Sequence, residues 1–320
     1  MRITFEPHIV ISEREFANIG ALMQQVEDQL HQLEVDEEPA GLRAYLDTHP
    51  WHRELMHGEL VASAYREAHR HSIAVGGPVA PGGSSSSAAY SLSPADAQRY
   101  LSEPLWVFVE NEIEDGAFYR KVLGLLDARL GEILADERIV RFQHGGGKGE
   151  LERLVTERAQ ADSQRGYRIR AVVVVDGDSR WPGDSSGNGR IARLANEAGY
   201  GFHSLSKRAI ENYVPDESLR AYGDANPDVS FRVDWFLRLS SKQRDHHPIK
   251  RALDPEKFIG QRGAEGELYS GLKLEDLRGN SLPGLMKFFL AHPNVVWEEL
   301  SRRDWSNDIP EIGDKIMEKR

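Results

Sequence analysis

Cysteine is absent from the 320 residues, which excludes disulfides, thiolate zinc sites and cysteine nucleophiles. No run approaches the roughly 18 consecutive apolar residues that a membrane span needs. The opening residues Met1 to Pro7 lack the apolar core of a secretory signal, so a cytoplasmic location without membrane contact is expected. Lysine does not occur before Lys121. The first hundred residues are acidic, and nucleic-acid binding by that segment alone is not expected. Familiar motifs are missing too. His52, His57, His69 and His71 do not make the helical two-histidine pattern with an attendant Glu that a zinc hydrolase uses. No Gly-x-Gly-x-x-Gly turn follows the first strong strand. Gly145-Gly146-Gly147-Lys148 fails as a Walker A loop because Gly149 stands where Ser or Thr would hold magnesium, so the chain carries no ATPase signature.

What is present is the composition of a globular protein, 40% hydrophobic and 28% charged. A net charge of −11 argues against gripping nucleic acid with the whole surface. It leaves room for a nuclease whose clustered acids hold cations, because the ions then supply the positive potential. The chain divides into four parts. Residues 1–75 read as a helical region, led by an amphipathic helix over Glu13 to Leu33 with Ser12 as N-cap. Residues 76–93, rich in Gly, Pro and Ser, read as a linker. Residues 94–219 read as an α/β domain, and residues 220–320 as a helical extension containing Val233 to Leu239, Pro255 to Ile259 and Leu282 to Leu290.

In the third part, strands are expected at Leu105 to Val109, Ile139 to Phe142, Ala171 to Val175 and Gly201 to Leu205. Helices are expected at Gly116 to Leu134, Glu150 to Gln164 and Gly189 to Ala198. Such alternation gives a parallel sheet with right-handed crossovers, and ligands bind beyond the carboxyl ends of its strands. Glu110, the Gly145 to Lys148 turn, Asp176 and Asp178 all follow strands there. Glu110 and Glu114 are four apart and could turn toward one cation, or could be solvated acids at a helix N-terminus. Asp176 and Asp178 sit at alternate positions, which in extended chain point the same way. Hard oxygen ligands of this kind select Mg²⁺ or Mn²⁺; a plain Asp-Gly turn is the competing reading. Lys148 could add a cation to a phosphate-binding turn. Lys207 and Arg208 could reach a nucleic-acid backbone, and Glu211 could support a second metal or orient a basic residue; by composition alone an ordinary helix start capped by Ser206 is the better reading. His246 and His247 read as a surface loop. Lys250 and Lys273 are candidate transition-state cations.

Together these segments resemble a Toprim domain, the metal-binding fold of topoisomerases, primases and OLD-family (overcoming lysogenization defect) nucleases. The family pattern, a strand ending in Glu and a later strand ending in Asp-x-Asp, is matched by Val109-Glu110-Asn111-Glu112-Ile113-Glu114 and Val175-Asp176-Gly177-Asp178. Gly146-Gly147-Lys148 and the Arg208 to Tyr213 box are similar to the OLD-like and stand-alone Toprim nucleases. The likeness covers Leu105 to Leu219, about a third of the chain. Asn111 departs from the family's Gly, at a position where a left-handed backbone is expected, one that Asn tolerates.

The resemblance implies a Toprim-like parallel sheet flanked by helices and a magnesium- or manganese-dependent endonuclease cleaving DNA or RNA with two ions. Glu110, Glu114, Asp176, Asp178 and Glu211 would be the metal ligands. Glu110, Asp176, Asp178, Glu211 and Lys250 would carry catalysis, with Lys148, Lys207 and Arg208 on phosphate. It further implies an effector of anti-phage defence that works with a separate ABC- or SMC-type ATPase and can self-associate. The alternative is a catalytically silent Toprim-like binding module within a larger assembly.

Overall fold

The computed structural model describes residues 2–5, 9, 11–28, 30–34, 38–63, 72–75, 90–184, 187–251, 253, 264–272 and 280–320. The expectations at His69, His71, Pro255 to Ile259, Lys273 and most of the 76–93 stretch lie outside them. The chain is α/β, with two four-stranded parallel sheets flanked by helices. Among the described residues no helix is long and apolar enough to cross a membrane.

The first sheet corrects the helical reading of residues 1–75. Strands β1 (Arg2–Phe5), β2 (Gln32–Glu34), β3 (Ser72–Val75) and β4 (Tyr90–Leu92) pair in the order β2-β1-β3-β4. Helix α1 (Phe16–Glu27) follows a short 3₁₀ turn, where the Glu15 carboxylate accepts the Ser12 backbone N–H at 3.1 Å. The helix stops at Glu27 and does not run on to Leu33. Leu33 instead pairs with Ile3 across the sheet and is buried. Helices α2 (Arg43–Thr48), α3 (Pro50–Ser63) and α4 (Pro94–Ser102) complete the unit. Ser93 caps α4 by accepting the Asp96 N–H at 3.2 Å. Ala97, Tyr100 and Leu101 of α4 pack with Ile3, Ile19, Leu22 and Leu33. A boundary at residue 94 therefore cuts through this unit, whose last strand is β4.

The second sheet follows the expected strands closely. It comprises β5 (Leu105–Val109), β6 (Val140–His144), β7 (Ala171–Val175) and β8 (Gly201–Ser204), in the order β6-β5-β7-β8. Side chains alternate between its faces. Val107, Val109, Val172 and Val174 belong to one core, while Phe108, Ala171, Val173 and Val175 belong to the other. Helices α7 (Lys148–Arg165) and α8 (Gly189–Ala198) cover the second face. The single helix expected over Gly116 to Leu134 is two, α5 (Ala117–Leu126) and α6 (Ala128–Ala135). Asp127 breaks it, its side chain accepting the Arg129 N–H at 2.8 Å as the N-cap of α6.

The residues after 219 are not an appendage. Helices α9 (Asp216–Ala225) and α10 (Pro227–Arg238), with Leu285–Ala291, Trp297–Arg303 and Asp308–Lys319, share the first-face core of the second sheet, while α11 (Ser241–His246) buries only Asp245 and His246. Ile309, Ile312 and Ile316 of the last helix are fully buried there. Asp308 joins this helix to the sheet. It accepts hydrogen bonds from His203 at 2.8 Å, from the Ser206 N–H at 3.1 Å and from the Tyr213 hydroxyl.

Candidate metal and phosphate site

In the second sheet the chain leaves β5 toward β6 on one side and crosses to β7 on the other. The order therefore reverses between β5 and β7, and a crevice opens beyond their carboxyl ends. Glu110 and Asp176 are the first residues past those two strands. The Asp176 backbone N–H donates to Glu110 Oε1 at 3.1 Å, so the two acids are tied together across the switch point.

Three local features build the rest. Glu112–Gly116 forms a π-helical turn opened by Asn111, whose side chain accepts the Ile113 N–H at 3.1 Å. Asn111 has φ −135°, so the left-handed backbone expected there is not found; the side-chain cap accounts for Asn instead. The turn buries Asp115, which accepts the Asn111 N–H at 2.8 Å. Gly177 permits the second feature. A Cβ there would lie 2.1 Å from the Lys207 carbonyl oxygen and 2.4 Å from that of Leu205, so only glycine lets the β7 and β8 exits touch. Gly145 is similar, since a Cβ would meet Leu151 at 2.5 Å. Its N–H donates to the Val109 carbonyl at 3.0 Å, and that of Gly147 to the Glu110 carbonyl at 3.3 Å. The glycine turn is thus fastened to the end of β5, which brings Lys148, the first residue of α7, to the crevice.

The acids crowd one another. Burial raises the pKa of Glu110, with Asp178 adding to the shift while Lys148 opposes it. Burial pushes Asp115 up to about 7, with Glu110 and Glu211 adding their repulsion. Asp176 is held well above the usual carboxylate range by burial and then by Asp115, Glu110 and Glu211. Glu211, in the 3₁₀ turn Ile210–Tyr213, is buried. Its Oε1 lies 2.8 Å from Lys250 Nζ, and its Oε2 has no hydrogen-bond partner among the described residues. Burial alone would lower the Lys250 pKa, but Glu211, Asp176 and Glu114 outweigh it and hold the ammonium protonated. Glu114 lies 3.5 Å from the same Nζ.

Glu110, Glu114, Asp176, Glu211 and Lys250 are therefore brought together, and Asp115 joins them. Nothing in the sequence separated Asp115 from the neighbouring acids of its turn. Asp178 reaches the crevice by another route than strand alternation. Its φ is 50°, so the extended chain ends at Gly177. Its N–H donates to the Arg208 carbonyl at 2.8 Å and its carboxylate pairs with Lys148 at 2.6 Å. Among the described residues no three His, Asp or Glu side chains stand close enough to hold an ion together; Lys148 and Lys250 take three of the carboxylates, those of Asp178, Glu211 and Glu114.

Two expectations are corrected. Lys207 is fully buried, with Nζ 3.1 Å from Asp245 and donating to the Asn212 and Arg303 carbonyls. It braces the loop after β8 and is not on the surface where a nucleic-acid backbone could reach it. Arg208 is half-buried and donates to the His246 carbonyl at 3.1 Å. His246 and His247 are buried as well, not a surface loop: His246 Nδ1 is 3.0 Å from the Ser179 carbonyl. Asn212 also works inward, donating to the Arg244 and His247 carbonyls at 2.6 and 3.0 Å. The Arg208 to Tyr213 box is thus largely a brace that carries Glu211.

Comparison with protein-family models, curated proteins and solved structures gives no match to this chain.

Proposed function

We propose that this protein is a metal-dependent endonuclease built on a Toprim-like domain, hydrolysing phosphodiester bonds of DNA or RNA with Mg²⁺ or Mn²⁺. The observation that carries the reading is the crowd of acids at the β5/β7 switch point, with a buried Glu211 oxygen left without a partner. Carboxylates that raise one another's pKa bind a hard divalent cation because it relieves their repulsion. The donor chemistry suits such ions, all carboxylate oxygens: Glu110, Asp176, Asp178 and Glu211 would hold them, with Glu114 at the rim, once the lysine ion pairs open and the side chains draw together. Bound ions would polarise the phosphate and acidify a water molecule.

The protein's own groups supply the rest. Lys250, protonated beside Glu211, can neutralise charge that develops on the phosphate oxygens. Lys148 can swing from Asp178 to a substrate phosphate, and the Gly145 to Gly147 turn lets backbone approach it closely. Asn188, donating to the Asp176 carbonyl at 2.8 Å and to Ser204 Oγ at 2.7 Å, keeps the exit of β7 in place. A role in anti-phage defence beside a separate ABC- or SMC-type ATPase, and self-association, rest on the Toprim resemblance.

The test is cleavage of plasmid DNA and of RNA by purified protein, with and without Mn²⁺. Asp176→Ala should lose at least a hundredfold in rate while keeping its circular dichroism spectrum and melting temperature. Undiminished cleavage by that variant would sink the assignment. A second reading, a silent Toprim-like binding module, is favoured by the ion pairs that already occupy Asp178 and Glu211. Titration calorimetry separates the two, since the silent module takes up no Mn²⁺.

A further inference from the structure

Far from the acids, at the amino-terminal end of the second sheet, a cavity of about 200 Å³ opens between the two sheets. Its polar lining includes Gln25 and His31 from the first unit, Arg138 before β6, Arg170 before β7, and Arg320 after the last helix. Five strand residues separate Arg170 from Asp176, so the cavity lies on the order of 20 Å from the acidic crevice.

The cavity is short of negative charge. Arg138 is already matched by Asp136 at 2.7 Å. Arg170, which is 93% buried, donates to the Glu103 carbonyl and, at 3.4 Å, to the main-chain carboxylate of the last residue, Arg320, and its Nε has no partner. Arg320 Nε is likewise buried and unpartnered. No side-chain carboxylate lies within ion-pair distance of either Arg170 or Arg320 among the described residues. His31, also 93% buried, meets the Leu101 carbonyl through Nε2 at 3.0 Å and leaves Nδ1 without a partner. In a chain of net charge −11, two guanidinium groups that face a single main-chain carboxylate leave net positive charge at a largely buried place, which is costly unless a further anion answers it.

We propose that this cavity binds a phosphate dianion, either free or as the phosphoryl group of a small phosphomonoester. Guanidinium N–H groups make charge-assisted hydrogen bonds to a tetrahedral oxyanion, and the unpartnered Nε of Arg170 and of Arg320 are available for this. His31, whose single N–H in the neutral ring goes to the Leu101 carbonyl, adds a donor only by taking up a proton at Nδ1, which a bound dianion favours. The volume suits a phosphoryl group with a few attached atoms and is below the range that encloses a drug-sized ligand. Because its walls come from α1, α4 and the turn after α1 in the first unit, and from the entries to β6 and β7 and the end of the last helix in the second, the bound anion would tie the two units together. The site is independent of the nuclease reading.

The full-length protein in EDTA is titrated calorimetrically and by thermal shift with inorganic phosphate, with adenosine monophosphate, and with sodium chloride at matched ionic strength. Saturable binding and a raised melting temperature are expected with phosphate, the monophosphate, or both, and not with chloride. Equal affinities assign the free ion; tighter binding of the monophosphate assigns an organic phosphomonoester. Arg320→Gln, at a half-buried position, should weaken binding about tenfold, the effect of losing one charge-assisted contact. Arg138→Gln should weaken it less, and the exposed Arg190→Gln should leave it unchanged. Binding no better than chloride, or undiminished binding by Arg320→Gln, overturns the proposal.

Discussion

Gly177 shows how a residue with no functional group can govern a site. It lies between two acids, and its missing Cβ is what allows the β7 exit to press on the carbonyls of Leu205 and Lys207. Gly177→Ala should force those backbones apart, at a cost of about 1–3 kcal/mol. It should also displace both Asp176 and Asp178, so the melting temperature and any Mn²⁺ affinity fall together although no ligand is removed. Chemical denaturation paired with calorimetry checks this; unchanged metal affinity would show that the carboxylates do not depend on the close approach. Lys207 teaches the converse. A basic residue beside a predicted ligand-binding edge looks like a phosphate contact, yet burial sends it into the loop it supports.

At the scale of elements, the segment leaving α11 is a source of pH dependence. His247 is enclosed by Trp235, Phe236 and Tyr269, and burial pushes its pKa down to about 4 from 6.5. A histidine held neutral in the folded state contributes stability that is complete above pH 6.5 and is lost as pH falls through 4. The loss is on the order of 3 kcal/mol for a shift of this size. His247→Phe keeps a ring in the same place and removes the titration. It should cost about 1 kcal/mol at pH 7 for the hydrogen bond to the Asn280 carbonyl. The variant's stability should then fall less than the wild type's between pH 6.5 and 4. Urea melts across that range measure the difference, and parallel curves for the two proteins would refute it.

For the whole molecule, the last helix decides whether the second sheet has a closed core. Asp308 is almost wholly buried, and its hydrogen bonds from His203, Ser306, Tyr213 and Ser206 outweigh burial and hold its carboxyl well below the usual range. Asp308→Ala should cost about 3–5 kcal/mol by stranding those donors. It should loosen Ile309, Ile312 and Ile316 from the core, and hydrogen exchange should then rise in β8 and the last helix first. Exchange confined to the helix terminus would mean that Asp308 caps the helix without locking it to the sheet.

The sequence by itself determined the second sheet and the placement of its acids. The apolar runs Leu105–Val109 and Ala171–Val175 are local signals, and ligands follow strand ends by a general rule of parallel sheets. Glu110 and Asp176 were legible for that reason, whereas Glu211 stood out only through the Toprim resemblance. The first sheet was not legible. Its strands are three or four residues long and spread across ninety positions, so no window holds enough pattern to separate them from helix. Tertiary structure alone decided which basic residues face solvent, that Asp115 joins the acid cluster, and that Arg170 and Arg320 share a cavity with His31. Burial and charge pairing depend on chain segments far apart in sequence, and only packing brings those segments together.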